Sequence, residues 1–277
     1  MLTRPMVSPM RLYLINLARR PDRLAAMLGQ AAHLERVEAL DAAQAEPDAL
    51  NRWFEEDGPL GEIPKGDKAC LLSHRRAWEL FVAGTDSHAV FLEDDVRLSK
   101  HAPALLTGSD WIPKDVGIVK LEHYGPPGQR VLLTQMRALL MAPPRQAATA
   151  LPVDFRLGRM LSRHTGAAAY ILSRPAAELL LRQTRFDLPV DHLLFNPNNS
   201  RLFARLGPWQ LLPAIARQQE FVGEKSDIES TRIKLRSFGL TYAKRELVRF
   251  GYDLKLVPRQ IAALLRGAKF VAVTMAD

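Results

Sequence analysis

His88-Ala-Val-Phe-Leu-Glu-Asp-Asp-Val96 carries an apolar run directly into three adjacent carboxylates. The run reads as a strand buried on both faces, with Glu93-Asp94-Asp95 as the turn at its end. Neighbouring carboxylates repel one another and are costly to take out of water. A hard divalent cation relieves that cost, because such ions prefer carboxylate oxygens. A bound diphosphate could complete the ion's shell. Alternation along an extended segment puts Glu93 and Asp95 on one side and Asp94 on the other. Glu93 and Asp95 are therefore the candidate ligands for Mn2+ or Mg2+, and Asp94 is a candidate contact to the molecule that carries the diphosphate. A solvated acidic turn holding nothing is the competing reading of the triplet alone.

Outward from this stretch, short apolar runs alternate with helical spacing. Arg11–Leu17, Val37–Leu40, Val116–Leu121 and Ala167–Leu172 read as strands. Leu24–Leu34 and Asp67–Val82 read as helices, the first introduced by Pro21 and Asp22. Ser173 is placed to cap a helix that begins with Pro175 near its first turn. Pro126-Pro-Gly128 and Pro143-Pro144 punctuate a less regular middle section. Alternating strands and helices predict an α/β domain with a mostly parallel central sheet flanked by helices. Ligand sites in such sheets lie outside the carboxyl ends of the strands, where the acidic turn falls.

The 277 residues have ordinary globular composition, with 47% apolar and 25% charged residues. The formal net charge of +8 is concentrated. Arg232–Lys269 holds ten Lys or Arg against Glu246 and Asp253. The expected division is a catalytic domain over residues 1–225 and a basic, helical C-terminal tail over 226–277. Within Leu256–Val273 apolar and basic residues share an amphipathic pattern. It suits a helix lying on an anionic membrane surface and equally one docked on the domain. No run reaches the length of a spanning helix and no segment reads as a signal peptide. With a single cysteine, Cys70, no disulfide within the chain can form. The expectation is a cytoplasmic protein, peripheral on the inner face of the cytoplasmic membrane.

Four segments occur in a recognisable order: Ile15-Asn-Leu-Ala-Arg-Arg-Pro-Asp-Arg23, Ala69-Cys-Leu-Leu-Ser-His-Arg-Arg-Ala-Trp78, the acidic turn, and Thr165-Gly-Ala-Ala-Ala-Tyr-Ile-Leu-Ser173 followed by Pro189-Val-Asp191. In this order the chain resembles glycosyltransferase family 25, the lipooligosaccharide and lipopolysaccharide galactosyltransferase-like group. The resemblance runs from about Leu12 to about Asp191, with a weaker echo at Pro213 and Lys225–Ile228. It implies a GT-A-like fold, a nucleotide-sugar donor (usually UDP-galactose), inversion at the anomeric carbon, and a cell-surface glycan or glycolipid acceptor. It also implies that the acidic turn is the metal motif. One departure is visible: Gly66-Asp67-Lys68 stands where the family often has Gly-Glu-Ile.

The remaining candidates follow from position. Asn16, Arg19 and Arg23 follow the first strand, where Arg forks and backbone N–H groups suit a nucleotide diphosphate. Solvated arginines and a local ion pair are the alternative there. His74 shares a helix face with Trp78, so it could contact the donor or brace the acidic turn. Cys70 reads as small core packing, with no histidine as an obvious partner. Gly166 could admit a sugar to the backbone, or merely make a tight entry into a strand. Inverting transfer needs a general base apart from the metal ligands. Asp191 is the first candidate, with helix capping as its alternative role; Glu122 and His123 come next. His192 reads as a bystander. A nucleic-acid-binding protein using the basic tail is the alternative from another class; it leaves Glu93–Asp95 unexplained, and nucleic acid is not the expected partner.

Overall fold

The computed structural model describes residues 10–31, 33–125, 129–139, 153–219 and 240–276. Pro126–Gly128, Pro143-Pro144, Lys225–Ile228 and the expected boundary after residue 225 lie outside these.

The chain begins β1 (Arg11–Asn16), α1 (Pro21–Leu28), β2 (Leu34–Glu38), α2 (Pro47–Asn51), α3 (Lys65–Ala83) and β3 (His88–Glu93). Then come β4 (Val96–Leu98), α4 (Ala102–Leu106), β5 (Ile118–Lys120), β6 (Glu122–His123), β7 (Arg130–Ala138) and β8 (Arg156–Met160). β9 (Ala169–Ser173), α5 (Arg174–Leu181), α6 (Val190–Phe195), α7 (Phe203–Leu206), β10 (Trp209–Leu212) and β11 (Ala216–Gln218) follow. The chain closes with α8 (Leu240–Leu265) and β12 (Lys269–Ala272).

Nine strands form one sheet in the order β12-β7-β8-β10-β5-β9-β3-β1-β2, and β4-β11-β6 form a small second sheet. The fold is a mixed α/β domain with helices on both faces. The expectation of a mostly parallel sheet is corrected. β2, β1 and β3 are parallel neighbours, as are β5 and β10, whereas β9 runs against both β3 and β5. The β12-β7-β8-β10 side is antiparallel throughout. This side is not legible in the sequence because β7 and β8 lie in the proline-punctuated middle section.

Side-chain alternation explains the layers. Tyr13 and Ile15 of β1 and Phe91 of β3 enter one core with Leu71, Trp78 and Phe81 of α3. Leu12, Leu14, Val90 and Leu92 enter the other core with Met27 of α1 and Leu105 of α4. Both faces of β1 and β3 are thus covered, as their continuous apolar runs require. Phe91 stacks between Tyr13 and Tyr170, with ring centroids 5.6 and 5.3 Å away. Each such buried ring contributes about 2–3 kcal/mol by removal from water. The predicted cap is present: the Ser173 hydroxyl accepts from the Ala176 N–H at the start of α5. α1 ends at Leu28, short of the expected Leu34, with Gly29 at its C-cap.

The basic extension closes the far edge of the large sheet. Val271 of β12 pairs with Val131 of β7, and the Ala276 N–H donates to the Ala214 carbonyl. α8 precedes this strand and contains Pro258. Among the described residues no helix is long and apolar enough to cross a membrane.

Candidate active site

Four strand ends meet on one edge of the sheet. β1 ends there at Asn16, β3 at Glu93, and β5 at Lys120, with Glu122 just beyond. β9 runs the other way, so its entrance, Gly166-Ala-Ala168, arrives at the same edge. The reversed strand is therefore what brings the Thr165–Ser173 motif to the acidic turn. The Glu93 N–H donates to the Ala168 carbonyl at 2.8 Å and ties the two together.

The alternation of β3 decides where each carboxylate goes. Glu93 continues the Ala89 and Phe91 side, towards α3. Its Oε1 lies 3.0 Å from His74 Nε2 and 3.9 Å from Cys70 Sγ, and its Oε2 accepts from Gln218 of β11 at 3.3 Å. Asp94 takes the opposite side, towards α1. Its Oδ2 accepts from Asn16 Nδ2 at 2.8 Å, and its Oδ1 pairs with Arg23 at 3.2 Å. Asp95 lies in the turn itself, half-buried. All three carboxylates line one open cleft with Arg19, Arg23 and His74.

Of the first-turn residues, Asn16 is 1% exposed and all its amide groups are engaged. Its amide hydrogens go to Asp94 and the Arg20 carbonyl, and its oxygen accepts from Arg36. It sets Asp94 rather than facing the cleft. Arg23 does both. Arg19 stands at the rim, paired with Asp41 at 2.8 Å.

His74 sits at the centre of a buried chain of hydrogen bonds. The Trp78 indole N–H can only donate, and it meets the Tyr170 oxygen at 2.8 Å. The Tyr170 hydroxyl hydrogen is left for His74 Nδ1, also 2.8 Å away. His74 then carries its proton on Nε2 and donates to Glu93. Complete burial holds its pKa down to about 3, so it is neutral. Of the two roles open to His74 in the sequence, contact to the donor and bracing of the acidic turn, the bond to Glu93 has the geometry of the second. Cys70 packs against the core on the α3 side, as expected, and it also has a histidine neighbour. Cys70 and His74 are one helical turn apart and both face the cleft beside Glu93. Their spacing of four was visible in the sequence; Glu93 completing the group was not.

Glu122 is fully enclosed. Its Oε1 accepts from Lys120 Nζ at 2.7 Å and from the Ala168 N–H at 3.0 Å, while Oε2 has no hydrogen-bond partner among the described residues. Burial pushes the Glu122 carboxyl up, to about 7, and the Lys120 ammonium down; their mutual attraction opposes both shifts. Lys120 Nζ also donates to the carbonyls of Thr165 and Gly166. Three acceptors around one nitrogen require the three hydrogens of the charged form, so the pair is ionised. The residue missed by the sequence reading is Lys120, whose position in an apolar strand was its only sign.

Gly166 has φ +89°, and a Cβ there would lie 2.5 Å from the Tyr124 ring and 3.0 Å from Glu122 Oε1. The space a glycine leaves is filled by Tyr124. Asp191, half-buried in the first turn of α6, accepts the His192 N–H at 2.8 Å. Its negative charge reaches both His74 and Lys120. His192 Nδ1 meets Asn196 Nδ2 at 2.7 Å and takes part in a separate local network. His123 is buried beside Arg217, on the small sheet.

The family model "Glycosyltransferase family 25 (LPS biosynthesis protein)" matches residues 10–194, more than half of the chain. The lipooligosaccharide biosynthesis protein lex-1 of Haemophilus influenzae is 28% identical over 145 residues, 48% of this chain and 43% of that protein. The lacto-N-neotetraose biosynthesis glycosyltransferase LgtB of Neisseria gonorrhoeae is 28% identical over 169 residues, 55% of this chain and 53% of that protein. The chain spans about half the length of these relatives. The match takes in the first strand and its turn, the α3 helix, the acidic turn and the start of α6, all of which this edge of the sheet brings together. The chain belongs to glycosyltransferase family 25.

Proposed function

We propose that the chain transfers a hexosyl unit from a UDP-sugar to a lipooligosaccharide, lipopolysaccharide or other cell-surface glycan, with inversion, on a GT-A-like scaffold. One observation carries this reading. The acidic turn lies at the carboxyl edge of the sheet with Arg23 clamped to it, on the wall of a cleft built from the first strand's turn. The family resemblance makes UDP-galactose the donor to test first.

Within this reading Glu93 and Asp95 would hold a hard divalent ion, Mn2+ or Mg2+. Their carboxylate oxygens suit such an ion, and both line the cleft. When bound, the ion would neutralise the charge on the departing diphosphate. Arg23, held by Asp94, contributes a fork for phosphate oxygens, and Arg19 a second cation at the rim. His74 fixes the Glu93 carboxylate rather than meeting the sugar. Asp191 takes the proton of the acceptor hydroxyl; its partial exposure gives it the access that a base requires. Glu122 is the second candidate, and its enclosure favours a role in shaping the β9 entrance.

The extension is proposed to hold the enzyme on the inner face of the cytoplasmic membrane. Leu254, Val257, Ile261, Leu264 and Leu265 are all exposed. At about 100° per residue they form one stripe on α8. Lys255, Arg259 and Arg266 flank that stripe, and Leu256 is turned inward. An exposed apolar stripe beside a basic one suits an anionic bilayer better than a nucleic acid. Removing the extension would also remove β12. The test is therefore Val257→Gln with Ile261→Gln, which should reduce sedimentation with anionic vesicles; unchanged sedimentation would remove the membrane reading.

The donor reading is tested by thermal shift with UDP, UDP-galactose and CMP-sialic acid, each with and without Mn2+. Stabilisation by the uridine ligands that needs Mn2+ is expected through linkage. No response to any nucleotide would overturn it.

A further inference from the structure

Among the described residues, one group of three potential metal donors converges, and Asp95 is not in it. Cys70 Sγ, His74 Nε2 and Glu93 Oε1 all lie within 4.8 Å of one another. We propose that these three form a site for a soft divalent cation, Zn2+, which overlaps the hard-ion site by sharing Glu93.

The distances support this. Tetrahedral Zn2+ with bonds of about 2.3 Å to sulfur and about 2.0 Å to nitrogen and oxygen sets its donors about 3.3–3.5 Å apart. The Glu93–His74 and Glu93–Cys70 separations, 3.0 and 3.9 Å, bracket that range. Small rotamer adjustments reach it. Cys70 and His74 are four apart on α3, so they lie on one face of a rigid helix. Glu93 is anchored by the backbone bond to Ala168.

The chemistry fits as well. A thiolate, an imidazole and one carboxylate make a donor set that selects zinc over magnesium or manganese. One thiolate and one carboxylate cancel the charge of a divalent ion, which eases its partial burial. Histidine binds a metal as the neutral imidazole. Histidine ligands characteristically hydrogen-bond through the other ring nitrogen. Here that nitrogen already faces the Tyr170 hydroxyl, which Trp78 holds in place. On binding, the Cys70 thiol releases its proton to solvent. The His74 proton moves from Nε2 to Nδ1, and the Tyr170 oxygen then accepts from both His74 and Trp78, while its own hydrogen turns away from His74 and gives up that hydrogen bond. All three donors line the cleft, which supplies the route of entry and a fourth position for water.

One consequence rests on the hard-ion reading of Glu93: zinc withdraws that carboxylate, so it should inhibit metal-dependent donor binding. The existence of the site does not rest on that reading.

Co2+ provides the spectroscopic probe on the full chain. Cys70 is the only cysteine, so any thiolate-to-cobalt charge-transfer band reports on it alone. The expected result is such a band in the wild type, its loss in Cys70→Ser with at least tenfold weaker cobalt binding, and its displacement by Zn2+. Tyr170→Phe should keep the band and weaken cobalt binding about tenfold. Asp95→Asn should keep the band unchanged, and Cys70→Ser should keep the wild-type circular dichroism and unfolding midpoint, which guards against a misfolded variant. No thiolate band in excess cobalt overturns the proposal. So does cobalt binding of equal strength in wild type and Cys70→Ser, which would put the metal on oxygen ligands. Zn2+ should raise the Kd for UDP with Mn2+ about tenfold in the wild type and leave it unchanged in Cys70→Ser. If UDP never requires Mn2+, the hard-ion reading fails while the cobalt result stands by itself.

Discussion

The two sides of the large sheet contribute different things to one edge. On the β2-β1-β3 side every strand is parallel, so every strand ends at the same edge: β3 delivers Glu93 and Asp94 to the cleft, and β1 delivers Asn16, which holds Asp94. On the other side β9 is reversed, and what reaches the edge is a strand entrance tied down by a buried lysine. The first side presents charge to the cleft. The second holds backbone in place. Chemistry and stability should therefore respond to different substitutions.

Asp95→Asn tests the first side. Transfer should fall about 10³-fold, the scale of losing one charge-stabilising group, about 4 kcal/mol of barrier. The unfolding midpoint should not move. Normal turnover would remove Asp95 from the site. Lys120→Met tests the second side. It leaves Glu122 enclosed without its counter-charge, so the carboxylate must stay unpaired or take up a proton, and stability should drop about 3–5 kcal/mol in denaturant titration. Lys120→Met combined with Glu122→Gln should regain much of that loss; a double variant as unstable as the single would show that the charge is not the cause. Tyr170→Phe lies where the two sides meet. It strips a hydrogen bond from both Trp78 and His74, and about 1–3 kcal/mol of stability should go with them.

The smallest effect is the pH response. His164 is buried against Gln210 and the Tyr124 carbonyl, and burial holds it down to about 3 from an ordinary 6.5. A depressed pKa means that its contribution is fully present above pH 6.5 and is lost as pH falls from there towards 3. Glu122 runs the opposite way. Its carboxyl is pushed up to about 7, so that group favours the folded state less as pH rises from 4.5 to 7. Between pH 6.5 and 5 His74, held down by burial in the same way, acts with His164, and Glu122 opposes both. In His164→Gln the fall in stability on acidification should be shallower; an unchanged slope would show that His164 does not set it.

The sequence was most legible where periodicity and polarity change together. The run Ala89–Leu92 ending in three carboxylates was enough to specify β3, its burial and the opposed directions of Glu93 and Asp94. The proline at position 21 and the Ser173 cap marked helix starts correctly. Strand direction was not legible, because an apolar run of five residues looks the same read either way. Direction depends on partners far along the chain. For the same reason Lys120 was passed over: its role comes from carbonyls some 45 residues away. The convergence of Cys70, His74 and Glu93 was half visible, as two residues on one helix face.

The pairing of β12 with β7 bears on how the molecule is made. Val131, Leu132 and Leu133 are completed as a sheet edge only by a strand more than a hundred residues later. During synthesis that edge must wait, with its N–H and C=O groups and an apolar surface uncovered. The nascent chain thus passes through a stage at which its first strands can fold around the acidic turn while its far edge invites pairing with a neighbour. A stop codon before β12 would leave each molecule at that stage permanently. Its expected outcome is insoluble protein rather than a slower enzyme.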